Sequence, residues 1–106
     1  MEENYKYAPI DGKPRYLKYE YNAFGNHYDI YAKVVKCEKN EYHCFMFEDG
    51  YYIDESYSAR TEFMFRRMSK GYFEKIHNWK EITEEEFKYN FLSLFDKLEK
   101  SFLDKA

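Results

Sequence analysis

Between Arg15 and Glu48 the chain alternates apolar and polar residues with a period of two, the mark of half-buried strands. In Arg15 to Asn22, Leu17, Tyr19 and Tyr21 form one side, and Arg15, Lys18 and Glu20 supply an imperfect polar side. Asn22 to Asn26 reads as a turn. His27 to Cys37 and Tyr42 to Glu48 then make the clearest hairpin, closed at Lys39-Asn40. A register with Cys37 opposite Tyr42 and Cys44 opposite Val35 gathers Ile30, Ala32, Val34, Phe45 and Phe47 on one face, the expected core face. Tyr31, Lys33, Val35, Cys44 and Met46 then share the other. A slip of one residue would set Lys33 against Phe45, so the pattern favours the first register. Asp49-Gly50 is the strongest turn signal in the chain and suggests a type I′ hairpin into Tyr51-Tyr52-Ile53. Asp54 to Arg60 is polar and reads as loop.

Thr61 to Gly71 admits two readings. As a strand, Phe63 and Phe65 alternate with Glu62 and Met64, and Ser69-Lys70-Gly71 leads into a further strand at Tyr72 to His77, with Arg66 facing Glu74. As a helix, Ser58 caps a stripe of Ala59, Phe63, Met64 and Met68 that stops at Gly71. The strand is preferred. The C-terminal segment is helical: Thr83 and Glu86 have capping-box spacing, and Ile82 and Phe87 occupy the staple positions. Glu84, Glu85 and Glu86 suit the positive end of the helix dipole. Phe87, Phe91, Leu94, Leu98 and Phe102 form the apolar stripe, widened by Phe95. Met1 to Pro14, broken by Pro9, Gly12 and Pro14, reads as an arm docked by Tyr5 and Tyr7. The expected fold is α+β, an antiparallel meander of about five strands over residues 15–78. One long helix, residues 83–104, packs on one face of it, and residues 15–106 make a single domain.

Composition changes this picture in one respect. Of 106 residues, 23% are aromatic, with 13 tyrosines, 10 phenylalanines and one tryptophan. A tyrosine buries its ring while its hydroxyl stays wet, so it serves packing and ligand contact alike. One helix covers one side of an antiparallel sheet and leaves the other open. A lone helix-covered core does not easily shelter so many rings. An aromatic contact face built from Tyr16, Tyr19, Tyr21, Tyr31 and Tyr42, with Tyr28 beside them, is therefore expected. The plainer reading of the same rings is cross-strand pairing that only stabilises the sheet.

Charge narrows the partner. The chain is 35% charged with a net charge of −3 and a pI near 5.6. A general nucleic-acid binder normally carries a basic surplus. No apolar stretch approaches membrane-span length and no charged-then-apolar leader follows Met1, so a cytoplasmic location is expected. The hairpin register puts Cys37 and Cys44 on a diagonal, roughly 7–8 Å apart at Cβ, too far for an unstrained disulfide. Reduced thiols are expected. Lys, Asn, Tyr and Phe are abundant while Ala, Arg, Gly and Pro are scarce, the bias of AT-rich coding sequence in low-GC bacteria, their phages and mobile elements.

The candidate chemistry is thin. Arg66, Arg67, Lys70, Tyr72 and Lys75 form a cationic and aromatic rim suited to phosphate plus base, or to an acidic peptide. A solvated turn with its arginines paired to Glu62 or Glu74 is the plainer alternative. His43-Cys44 with Cys37 invites a metal reading, but adjacent strand residues point to opposite faces, so no metal ligands are assigned. No serine has nucleophile-elbow or triad context, the glycines are isolated rather than phosphate-cradling, and no cofactor is expected. The chain reads as a non-enzymatic binding protein, a phage or mobile-element accessory that docks on and modulates a host protein. Its partner is another protein, and a homodimer would use the same face. The alternative is a binder of nucleotides or single-stranded nucleic acid using the same rings and cations. A small enzyme is the third reading.

Overall fold

The computed structural model describes residues 4–23, 25–52, 64–76 and 78–105. Among them are strands β1 (Arg15–Ala23), β2 (Asn26–Glu38), β3 (Glu41–Tyr52), β4 (Met64–Ser69) and β5 (Lys80–Ile82), with helices α1 (Lys70–Lys75) and α2 (Glu84–Lys105). The strands form one antiparallel sheet in the order β4-β3-β2-β1-β5. The first four strands are a meander, and β5 returns to pair outside β1. The fold is α+β, as the periodicities indicate.

The hairpin between β2 and β3 turns at Lys39 and Asn40, whose φ angles of 52° and 62° are those a type I′ loop requires. Neighbours hold this turn. The Asn40 N–H donates to the Tyr5 hydroxyl at 2.9 Å, and the Asn40 carbonyl accepts from the Lys70 N–H at 2.9 Å. Next to the turn Cys37 faces Tyr42, as expected. Beyond it the register shifts between Val34 and Lys36, and Val35 leaves the ladder as a β-bulge. Cys44 therefore faces Val34, Lys33 faces Phe45 and Tyr31 faces Phe47. The expected core face is split. Ile30, Ala32 and Val34 share a face with Tyr42, Cys44 and Met46, while Phe47 joins Tyr31 on the opposite one.

Both faces are cores, which removes the objection to placing Lys33 beside Phe45. The Lys33 ammonium lies 5.7 Å from the Tyr16 ring, so its stem covers apolar surface while its head stays wet. On one side, the arm face, Tyr7 from the N-terminal segment and Phe73 from α1 seal Leu17, Ile30, Ala32, Val34, Tyr42 and Cys44. Phe73 stacks on Tyr42 with centroids 4.4 Å apart. On the other, the helix face, Phe87 and Leu94 of α2 cover Tyr16, Tyr31 and Phe47. Tyr31 stacks on Phe47 at 4.5 Å, and Phe87 meets Phe47 edge-on at 5.2 Å. Each fully buried ring stabilises by roughly 1.5–3 kcal/mol.

Three further expectations are corrected. Asp49-Gly50 is not a turn: both residues continue β3 opposite Asp29 and Tyr28. β2 is 13 residues long, and its ladder overrides the local turn propensity. Tyr72 is not in a strand, since Ser69 caps α1 by accepting the Tyr72 N–H at 3.3 Å. Arg66 consequently does not face Glu74. Six residues are too few for a helix to hold itself, so α1 exists because Phe73 is buried. The strand reading holds for Met64 to Ser69. Residues 53–63 and 77, including the expected loop from Asp54 to Arg60, lie outside the described residues. α2 starts as its caps imply, with Thr83 Oγ1 accepting the Glu86 N–H at 3.1 Å and Ile82 packed in one cluster with Phe87. Among the described residues no helix is long and apolar enough to cross a membrane.

A single hydroxyl–carboxylate pair ties the arm face together. The Tyr42 hydroxyl accepts the Tyr7 N–H at 3.1 Å and donates to Glu74. Glu74 also accepts from the Lys6 N–H at 3.0 Å and from Lys70 Nζ at 3.3 Å. Burial by itself would raise the Glu74 pKa, but the Tyr42, Lys6 and Lys70 donors outweigh it and hold the carboxyl below its ordinary value. Tyr42→Phe leaves the Tyr7 N–H and Glu74 short of a partner and is expected to cost about 1–3 kcal/mol in urea unfolding. Because the folded pKa of Glu74 is lowered, its stabilisation is present above the ordinary carboxylate pKa and is lost as pH falls through the folded value. The urea midpoint should drop between about pH 5 and pH 3, and Glu74→Gln should flatten that drop.

Candidate functional site

The structure divides the expected aromatic face. Tyr16 and Tyr31 lie beneath α2 on the helix face, where Tyr31 is 2% exposed. Tyr42 is wholly buried on the arm face under Phe73. These three belong to cores and share no surface. Tyr19 and Tyr21 remain on the arm face, on the part of β1 that α1 leaves uncapped. They do not stand alone.

Tyr19 and Tyr21 extend into a continuous row of rings. Trp79 stacks on Phe73 at 4.9 Å and meets Tyr19 edge-on at 4.7 Å. Tyr19 stacks on Tyr21 at 5.8 Å, and Tyr21 stacks on Tyr28 at 4.8 Å. The sheet places them: residues 19 and 21 are two apart on β1, and Tyr28 is the cross-strand partner of Tyr21. Trp79 is pinned by donating its indole N–H to the Phe73 carbonyl at 3.1 Å. The row is buried at the Phe73 end and opens outward to Tyr21, which is 37% exposed, while Tyr72 of α1 is 63% exposed. Tyr72 lies near enough to Tyr19 to raise its pKa, after burial, with Glu48 adding to the effect. The Tyr21 hydroxyl donates to Glu48 at 3.3 Å, and burial followed by that carboxylate pushes its pKa to about 12. The Tyr21 phenol is thus protonated at neutral pH, with its proton committed to Glu48.

The expected cationic rim is also dispersed. Arg66 and Arg67 are both exposed, but they are consecutive on edge strand β4 and point to opposite sides of the sheet. Lys70 is engaged with Glu74 at 3.3 Å. Lys75 is exposed in the last turn of α1, where it complements the helix dipole. Tyr72 thus belongs with the ring row rather than with the arginines. Trp79 is the member that sequence reasoning missed. Tyr21 opposite Tyr28 follows from the ladder, which runs on through Asn22, Ala23 and Asn26 and so shortens the expected Asn22 to Asn26 turn, and Trp79 arrives because α1 and β5 fold back.

Other polar groups have local employment. Ser69 Oγ caps α1, and Ser93 Oγ donates to the Asn90 carbonyl at 3.1 Å. His43 and Cys44 occupy opposite faces of β3, and the His43 ring stands 4.0 Å from the Glu38 carboxylate. Glu20, His27 and Asp29 bring their ligand atoms within 4.8 Å of one another. That trio is met by its neighbours, with His27 between Asn22 and Asp29 at 2.9 Å each and Lys18 at 3.4 Å from Glu20. On the helix face a groove of about 320 Å³ runs between the sheet and α2, lined by Lys33, Val35, Phe45, Phe87, Lys88 and Phe91.

Comparison with known protein families, with curated proteins and with solved structures finds no match to this chain.

Cys37 and Cys44 are free thiols on the arm face. Burial first, then the Glu74 charge, pushes Cys37 up to about 11; burial first, then Cys37, pushes Cys44 up to about 12. Thiolate fractions at pH 8 are then very small. Reaction of the native protein with an aromatic disulfide reagent at pH 8 should be slow at Cys37 and negligible at Cys44, and both should react fully in denaturant.

Proposed function

We propose that this protein is a non-enzymatic module that docks on another protein through the row Tyr19, Tyr21, Tyr28, Trp79 with Tyr72 beside it. The carrying observation is that this row is ordered before any partner arrives. Ring contacts of 4.7 to 5.8 Å and the Trp79 hydrogen bond hold it in place. Docking on such a surface forfeits little side-chain entropy, and tyrosine and tryptophan are the residues that dominate interface energetics. The exposed Tyr72 ring adds contact area at the rim. The AT-rich compositional bias supports an accessory protein of a phage or mobile element, with a host protein as the partner.

The nucleotide or single-stranded nucleic-acid reading gains less support. It needs clustered cations next to stacking faces, and the two exposed arginines of β4 diverge. The net charge of −3 points the same way.

A partner recovered from the native host should bind the wild type at moderate salt. Tyr21→Ala and Tyr72→Ala should each weaken that binding by about tenfold or more, in the range of interface hot spots, while the unfolding midpoint stays near that of the wild type for the exposed Tyr72. A complex insensitive to both substitutions would sink the proposal. Binding to an oligonucleotide that falls steeply with salt and fails in Arg66→Ala with Arg67→Ala would favour the second reading.

A further inference from the structure

The helix-face groove is a different surface on the other side of the sheet, and the docking row makes no use of it. The bulge creates it. Released from the ladder, Val35 is 38% exposed, an apolar side chain left partly wet beside a core. Phe45 from β3 and Phe87 and Phe91 from α2 continue the apolar lining, and Lys33 and Lys88 complete it. The volume of about 320 Å³ is at the small end of sites that take small molecules.

The protein carries a net −3, yet the groove is lined by two lysines, Lys33 and Lys88, with the Glu84 carboxylate near both. The Lys33 ammonium is poised over the Tyr16 ring at 5.7 Å. Lys88 pairs with Glu84 at 2.9 Å, but both side chains are largely exposed, so that pair is weak and yields readily to a better-placed anion. An aromatic floor with two ammonium groups matches a molecule that is apolar over most of its length and anionic at one end. We propose that this groove binds a small anionic amphiphile, a free molecule with one aryl or short acyl body and a single carboxylate or sulfonate group.

The probe is anilinonaphthalene sulfonate, titrated into the folded full-length protein. Saturable one-to-one binding with a blue-shifted emission is expected, with displacement by decanoate and none by decyltrimethylammonium at equal concentration. Val35→Asp places a carboxylate in the floor and should weaken binding more than tenfold. Lys33→Gln should weaken it about fivefold, the upper range for an exposed ion pair. Cooperative thermal unfolding of each variant confirms that the groove is still present, and Lys33→Glu serves if Val35→Asp does not fold. Tyr21→Ala should leave the titration unchanged, which separates this site from the docking row. Non-saturable binding, equal displacement by the cationic amphiphile, or indifference to the Val35 and Lys33 substitutions would overturn the proposal. So would concentration-dependent dimerisation abolished by Val35→Asp, which would make a second copy of the chain the occupant.

Discussion

One extra residue in one strand governs how this molecule is put together. If Val35 stayed in the ladder, Phe45 and Phe47 would share a face with Ile30, Ala32 and Val34. The sheet would then have a single apolar side. By bulging out, Val35 advances β2 by one position against β3. Because side chains alternate strictly, that one position exchanges the faces for the remaining length of the hairpin. Tyr31 thereby joins Phe47 under α2, and Ile30, Ala32 and Val34 join Tyr42, Cys44 and Met46 under the N-terminal segment and α1. A protein with two apolar sheet faces must cover both. The aromatic surplus that looks like a binding surface in one dimension is mostly the material of a second core.

The arm face shows how that second cover is held. Its lids are an irregular N-terminal segment and a six-residue helix, neither able to persist alone. They are joined to the sheet by the Tyr42–Glu74 pair and to the hairpin turn through Tyr5 and Lys70. Buried ring contacts supply the bulk of the stabilisation, and the hydrogen bonds set where the lids sit. The lids are short, so they stop partway along β1. The ring row begins at the boundary where they stop, with Phe73 as its inner end and Tyr21 as its outer one. A covered core and the proposed docking surface are thus two ends of one aromatic cluster.

The two sides of the sheet differ in what they leave accessible. The arm face presents ring faces and edges in a fixed row, the surface that the proposed docking uses. The helix face leaves a recess beside α2 with lysines among phenylalanines, a lining that favours a compact anion with an apolar body. The bulge explains the second directly, since the residue expelled from the ladder is the one that lines the recess.

Local sequence determined the strands at Arg15, His27 and Tyr42, the Lys39-Asn40 turn and the start of α2 at its Thr83 cap, because each is written in neighbouring residues as alternation, turn chemistry or capping spacing. It also determined that Cys37 faces Tyr42, since a two-residue turn fixes the first few pairs on its own. Tertiary structure alone decided the bulge at Val35, the continuation of β3 through Asp49-Gly50, the helix at Tyr72 and the short strand at Lys80. Each of these is locally unfavourable or indifferent and is stabilised by partners distant in the chain: β2 for Asp49, the Tyr42 and Trp79 rings for Phe73, and β1 for Lys80. The same division holds for the surfaces. Tyr19, Tyr21 and Tyr28 can be placed together from the register of one hairpin, but which rings stay accessible depends on where two lids end, and that is settled by packing rather than by pattern.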